Sequence, residues 1–72
     1  MAVLKVIELM ADSPKSWEDA AQVAVTKASK SLKGIRSVWV QDKSATVDAK
    51  GRITAFRITC KVSFEVGGSG AA

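Results

Sequence analysis

Residues 55–66 read AFRITCKVSFEV and alternate without interruption: Phe56, Ile58, Cys60, Val62, Phe64 and Val66 interleave with Ala55, Arg57, Thr59, Lys61, Ser63 and Glu65. Alternate side chains of a strand point to opposite faces, so a dozen residues of period two specify a long strand with one buried side. Such a strand cannot stand alone. It needs hydrogen-bonded neighbours and a layer to cover its apolar face, and a chain of 72 residues has to supply both within a single domain, here residues 1–66.

The neighbours are legible on either side. Residues 35–47 are extended in character and are followed by Asp48, Ala49, Lys50 and Gly51, a tight connection that predicts a long antiparallel hairpin with a strand over 52–66. Residues 3–10, rich in Val, Ile and Leu, end at the turn-forming ADSP and read as the first strand. Between them the period changes. Ser16, with Asp19 three residues later, resembles a capping box with a shorter acid than the preferred Glu or Gln. Trp17, Ala20, Ala21, Ala24, Val25, Ala28 and Leu32 then form one helical stripe, and Gly34 is the stop signal. The expected fold is α+β, a β-α-β-β unit with one helix across a three-stranded antiparallel sheet. Because a strand advances about 3.3 Å per residue and a helix about 1.5 Å, one helix cannot cover such strands, so the sheet must wrap around it or extend into a neighbour. The tail 67–72, GGSGAA, reads as flexible and carries no assigned function.

A chain this short buries only about 60% of its extended surface, so help from outside the fold is expected. Cys60 is the sole cysteine and histidine is absent, which excludes an internal disulfide and a zinc site of the usual ligands. Oligomerisation remains. Cys60 itself, between Ile58 and Val62, reads as a small buried hydrophobe in a reducing compartment. The first ten residues, with Lys5 and Glu8 inside them, are too short and too charged to span a bilayer, and cytoplasmic location is the default. The net charge of +4 arises in part from Lys27, Lys30 and Lys33, expected in the last helical turns where cations favour the dipole, balanced by Glu18 and Asp19 in the first. A nucleic-acid partner is disfavoured, since there is no dense basic run, zinc-finger spacing or aromatic RNP-type strand.

Strict alternation places Ser37, Trp39, Gln41 and Lys43 on the same face as Ala55, Arg57, Thr59 and Lys61. Trp39 is out of character there. Ser37, Trp39, Gln41 and Arg57 offer a ring plane, an amide and a guanidinium, suited to stacking on a planar heterocycle and bonding its edge. The alternative is that Trp39 is covered at a subunit contact, with Arg57 stacked on it or paired with an acid. Asp42 and Asp48 are candidate ligands for a hard cation, and as two separated carboxylates they need symmetry to complete a site. Catalysis has little support: histidine is absent, the thiol lies on the core face, and no Gly-rich loop links a strand to a helix.

KVIEL at 5–9, SPKSWEDAAQVAVTKASKSLKGIR at 13–36 and ITCKVSFEV at 58–66 together resemble the dodecin family, nearly along the whole chain. The resemblance implies a sheet wrapped around the helix, and a hollow shell of twelve subunits built from trimers that meet at two-fold axes. Flavin-binding dodecins hold FMN or riboflavin against a tryptophan that follows the motif matching Ile35 and Arg36, with a glutamine on the last strand bonding the ring edge. Here those positions are Ser37 and Arg57, so the ordinary flavin pocket is altered. The missing tryptophan, with Val47, Asp48 and Gly51 in the hairpin and KVSF at 61–64, is closer to the calcium dodecins. The expected function is therefore non-enzymatic binding or storage of a small ligand. Flavin and calcium are the two ligand classes, and a purely structural or nucleic-acid-associated oligomer is the third reading.

Overall fold

The computed structural model of the chain describes residues 3–66, so the expected tail lies outside the described residues. β1 (Val3–Ser13) leads to α1 (Trp17–Ala28), then β2 (Ile35–Val47) and β3 (Ile53–Val66). The strands form one antiparallel sheet in the order β1-β3-β2, with the strictly alternating β3 in the centre. The α+β, β-α-β-β expectation is therefore met.

Two element ends differ from the sequence reading. β1 continues to Ser13, paired with Phe56, instead of stopping at Met10. The residue before a proline is biased to extended backbone, so Pro14 favours extension up to Ser13. The helix ends sooner, at Ala28, with Ser29 as its cap. Ser29 Oγ donates to the Thr26 carbonyl at 2.8 Å, and the amides of Lys30 and Ser31 bond three residues back, tightening the chain out of the α-helix. Lys30 and Lys33 thus lie beyond the helix, and only Lys27 occupies its last turn. At the other end Ser16 Oγ accepts from the Asp19 amide at 2.9 Å, one half of a capping box. The Asp19 carboxylate does not complete the box. It accepts from Ser13 Oγ at 2.6 Å and ties the helix start to the end of β1.

The core comprises Ala20 and Ala24 of α1 and Ile58, Cys60 and Val62 of β3. The small alanines let the helix lie close to the central strand, and Ile7, Leu9, Ala11, Trp17, Ala21 and Ile35 pack around the centre. Trp17 sets its ring edge-on to Phe56, centroids 4.9 Å apart, and donates its indole N–H to the Ser44 carbonyl at 2.8 Å. Coverage is incomplete. The long dimension is 53 Å, whereas twelve helical residues span only about 18 Å. A cleft of about 560 Å³ opens between α1 and β1, and one of about 430 Å³ between α1 and β2. Val38 and Val40, on the helix side of β2, remain 37% and 38% exposed.

Cys60 is fully buried, as its place on the core face requires, and burial pushes its thiol pKa up. A folded value above the unfolded one means that the stabilisation is complete below about pH 8.5 and is lost as the pH rises through the raised value. Denaturant midpoints of the wild type are therefore expected to fall more steeply above pH 9 than those of Cys60→Ala. The native thiol should also react with a disulfide reagent only as fast as the protein opens.

Candidate functional site

The face of the sheet turned away from α1 is assembled from three strands, and the register defines its rungs. Val6, Ser63 and Ser37 share one, Glu8, Lys61 and Trp39 the next, then Met10, Thr59 and Asp42, then Asp12, Arg57 and Ser44. The register along β2 shifts between Ile35 and Ser37, between Val40 and Asp42 and between Thr46 and Val47, and the middle shift decides this face. It leaves Gln41 as the extra residue of a β-bulge. Residues 42–46 beyond it change side. Asp42 and Ser44 join the rungs of Trp39, while Lys43, expected on that face, pairs with Ile58 and lies on the helix side. Its ammonium sits 5.7 Å from the centre of the Trp17 ring. Ala55 keeps its expected side but now lies opposite Thr46.

Of the residues singled out from sequence, the structure brings Ser37, Trp39 and Asp42 onto neighbouring rungs, with Gln41 at the bulge between the last two. Ser37 Oγ is 2.5 Å from Ser63 Oγ, so its hydroxyl is already engaged across the strands. Trp39 is 45% exposed, and its ring has no aromatic or cationic partner among the described residues. Arg57 lies four residues along β3 from the partner of Trp39, about 13 Å away. Its guanidinium grips Asp12 through two bonds, Nε to Oδ1 at 2.7 Å and a second nitrogen to Oδ2 at 3.0 Å. These bonds hold the Asp12 carboxyl below its ordinary range and raise the Arg57 pKa. Of the two environments weighed for Arg57, pairing with an acid is the one observed. A second cation of this region, Arg36, is bonded to Glu65.

Asp42 and Asp48 are not brought together. They are six positions apart along the chain, about 20 Å of extended backbone. Asp48 shapes the hairpin: its Oδ1 accepts from the amides of Lys50 at 2.8 Å and Arg52 at 3.0 Å, next to Gly51, whose φ of +80° is in the region that favours glycine. Asp42 is exposed, and its carboxylate makes no hydrogen bond or ion pair among the described residues. No three acidic or cysteine side chains among the described residues lie close enough to hold a metal ion. The oxygen chemistry of Asp42 beside Thr59 suits calcium, which takes six to eight oxygen ligands, but one subunit supplies only a fraction of them.

The sequence reading missed Asp12 as the partner of Arg57 and the apolar outer side of β1, where Leu4, Val6 and Met10 are 50%, 47% and 65% exposed. A continuous apolar run hides which half faces outward until the strand pairing is known.

A profile of the dodecin family matches residues 3–67. The chain belongs to the dodecin family. It is 44% identical over 66 residues to the calcium dodecin of Mycobacterium tuberculosis, covering 92% of both chains. The crystal structure of a calcium dodecin from that organism, described as calcium-chelating with a novel calcium-binding site, superposes with a TM-score of 0.80 at 42% identity, covering 93% of this chain and 94% of the other. A single-residue mutant of the dodecin from Thermus thermophilus gives a TM-score of 0.83 at 26% identity over 92% and 96% of the two chains. The dodecin of Streptomyces coelicolor, at 24% identity and a TM-score of 0.86 over 94% and 96%, shares the fold. No helix among the described residues of this dodecin is long and apolar enough to cross a membrane.

Proposed function

We propose that this dodecin is a non-enzymatic protein that assembles as a twelve-subunit shell built from trimers and holds a small ligand, calcium, between its subunits. One observation carries the choice of ligand. Ser37 and Arg57, the positions at which a flavin pocket would need a ring plane and an amide, are engaged with Ser63 and Asp12, whereas Asp42 on the same face is uncommitted. The similarity to calcium dodecin supports the same choice. Asp42 contributes one carboxylate, and neighbouring copies complete the set, the remaining oxygen of a neighbour's Asp48 being a candidate. Assembly is supported by the two clefts that flank α1 and by the exposed Leu4, Val6 and Met10, apolar surface that a small domain gains by covering.

The test is thermal unfolding with calcium and with chelator. A ligand that binds only the folded assembly at a hundred times its Kd adds about 2.7 kcal/mol per site, so calcium should raise Tm, and Asp42→Asn should remove most of that rise. An unchanged Tm in chelator would sink the calcium reading. Light scattering after size exclusion should return about twelve times the 7.6 kDa subunit.

A second reading, FMN or riboflavin held by Ser37, Trp39, Gln41 and Arg57, is favoured by the exposed ring of Trp39. It predicts saturable quenching of flavin fluorescence at micromolar protein.

A further inference from the structure

We propose that the cleft between α1 and β1 binds an unbranched alkyl-chain carboxylate, with the chain laid on the apolar strip of β1 and the head group on Lys27. Asp42 lies on the opposite face of the sheet, so this is a second ligand site that goes beyond the calcium reading and does not depend on it.

The cleft, about 560 Å³, has the size of an ordinary small-molecule pocket. Its shape follows from the residues that line it. Ile7, Leu9 and Ala11 are the helix-side residues of β1, one at every second position, and they form an apolar strip about 13 Å long that is only half-buried. β1 is an edge strand, so no further strand of this chain borders the strip. Facing it are Ala24 and Ala28. The small side chains that let α1 lie close to β3 are too short to fill the space above β1, and apolar surface is left there in a line. A line of apolar surface suits an extended chain better than a planar or compact molecule.

The charges around the cleft select the head group. Asp12 and Lys27 are the charged side chains of its lining. Asp12 is held by both bonds from Arg57, whereas Lys27 makes no ion pair within 4.0 Å among the described residues. The charge left for a ligand is therefore positive. A lysine lays its stem along apolar surface and keeps its ammonium in water, which matches a ligand whose chain is covered and whose head is not. An ammonium acts as a point charge and does not require the bidentate geometry that arginine imposes, so a simple carboxylate is sufficient. Ser31, whose bond to the Ala28 carbonyl is long at 3.5 Å, adds a hydroxyl to the same lining.

The experiment titrates the assembled protein with octanoate, decanoate and dodecanoate, each below its micelle concentration, in a calorimeter. Each two added carbons are expected to tighten binding about tenfold, the effect of burying two methylenes. Decyltrimethylammonium, with the same chain and the opposite charge, should bind at least tenfold more weakly than decanoate at low salt, and the gap should shrink as ionic strength rises. Lys27→Gln should weaken decanoate about tenfold and leave the chain-length step unchanged. Ala28→Leu from the helix and Ala11→Leu from the strand each put a larger side chain into the cleft and should abolish binding at the assembly mass of the wild type. Should either variant lose that mass, the chain-length series and Lys27→Gln decide the matter alone. Affinity independent of chain length, or equal binding of the two head-group charges, would overturn the site. So would the absence of any heat with dodecanoate from protein of shell mass, which would mean that a neighbouring copy fills the cleft. The calcium response of Tm and the twelve-fold mass are separate readouts, so the shell and calcium readings survive or fail on their own.

Discussion

Replacing Ile58 with alanine is expected to cost about 2–5 kcal/mol, the usual range for emptying a fully buried aliphatic site. Ile58 is 0% exposed and lies in the central strand, paired with Ala11 on one side and Lys43 on the other. A chain of 72 residues has a total stability of only about 4–11 kcal/mol, so this loss consumes much of it. For a domain of this size each kcal/mol is worth about 4–8 °C, and thermal unfolding followed by circular dichroism should show Tm lowered by at least about 10 °C. Ile58→Val is the control, with an expected cost of about 0.5–1.5 kcal/mol. Equal losses in the two variants would mean that the site collapses around the missing methyl groups and that packing there is looser than the burial indicates.

Trp17→Ala is the second large effect, expected near 3 kcal/mol, the low end for a tryptophan because the ring is only part-buried. Three contacts disappear together: the edge of the ring against Phe56, the indole bond to Ser44 and the Lys43 ammonium over the ring face. They connect the start of the helix to β3 and to the half of β2 beyond the bulge. Trp17→Phe separates the contributions. It keeps an aromatic against Phe56 and forfeits the hydrogen bond, so about 1 kcal/mol should be lost. If alanine and phenylalanine cost the same, the hydrogen bond and not the packing anchors the helix.

Much of this fold was legible because its periods are clean. The alternation of residues 55–66 specified the central strand, and the bounds of β2 were read as observed, since a turn-forming Asp48 and Gly51 leave the hairpin little freedom in register. The helix start was readable from Ser16 because a cap is a local event within three residues. Its end was not. Gly34 is a strong stop, but Ser29 and Ser31 compete for the carbonyls of the preceding turn and release the helix earlier. The site was half legible. Ser37 and Trp39 precede the bulge and keep their face, whereas Lys43 follows it and does not.

The amino-acid sequence by itself determined the number and kind of elements, the buried side of β3, the burial of Cys60 and the family. These depend on local periodicity, turn chemistry and residue identity, all written within short windows of the chain. The tertiary structure alone decided that Gln41 is a bulge, that Asp42 joins Trp39 on the outer face and that Arg57 is bound to Asp12. Those facts depend on register between strands, across as many as the 45 residues that separate Asp12 from Arg57. Register is fixed by the summed packing of a whole face, which no short window of sequence contains.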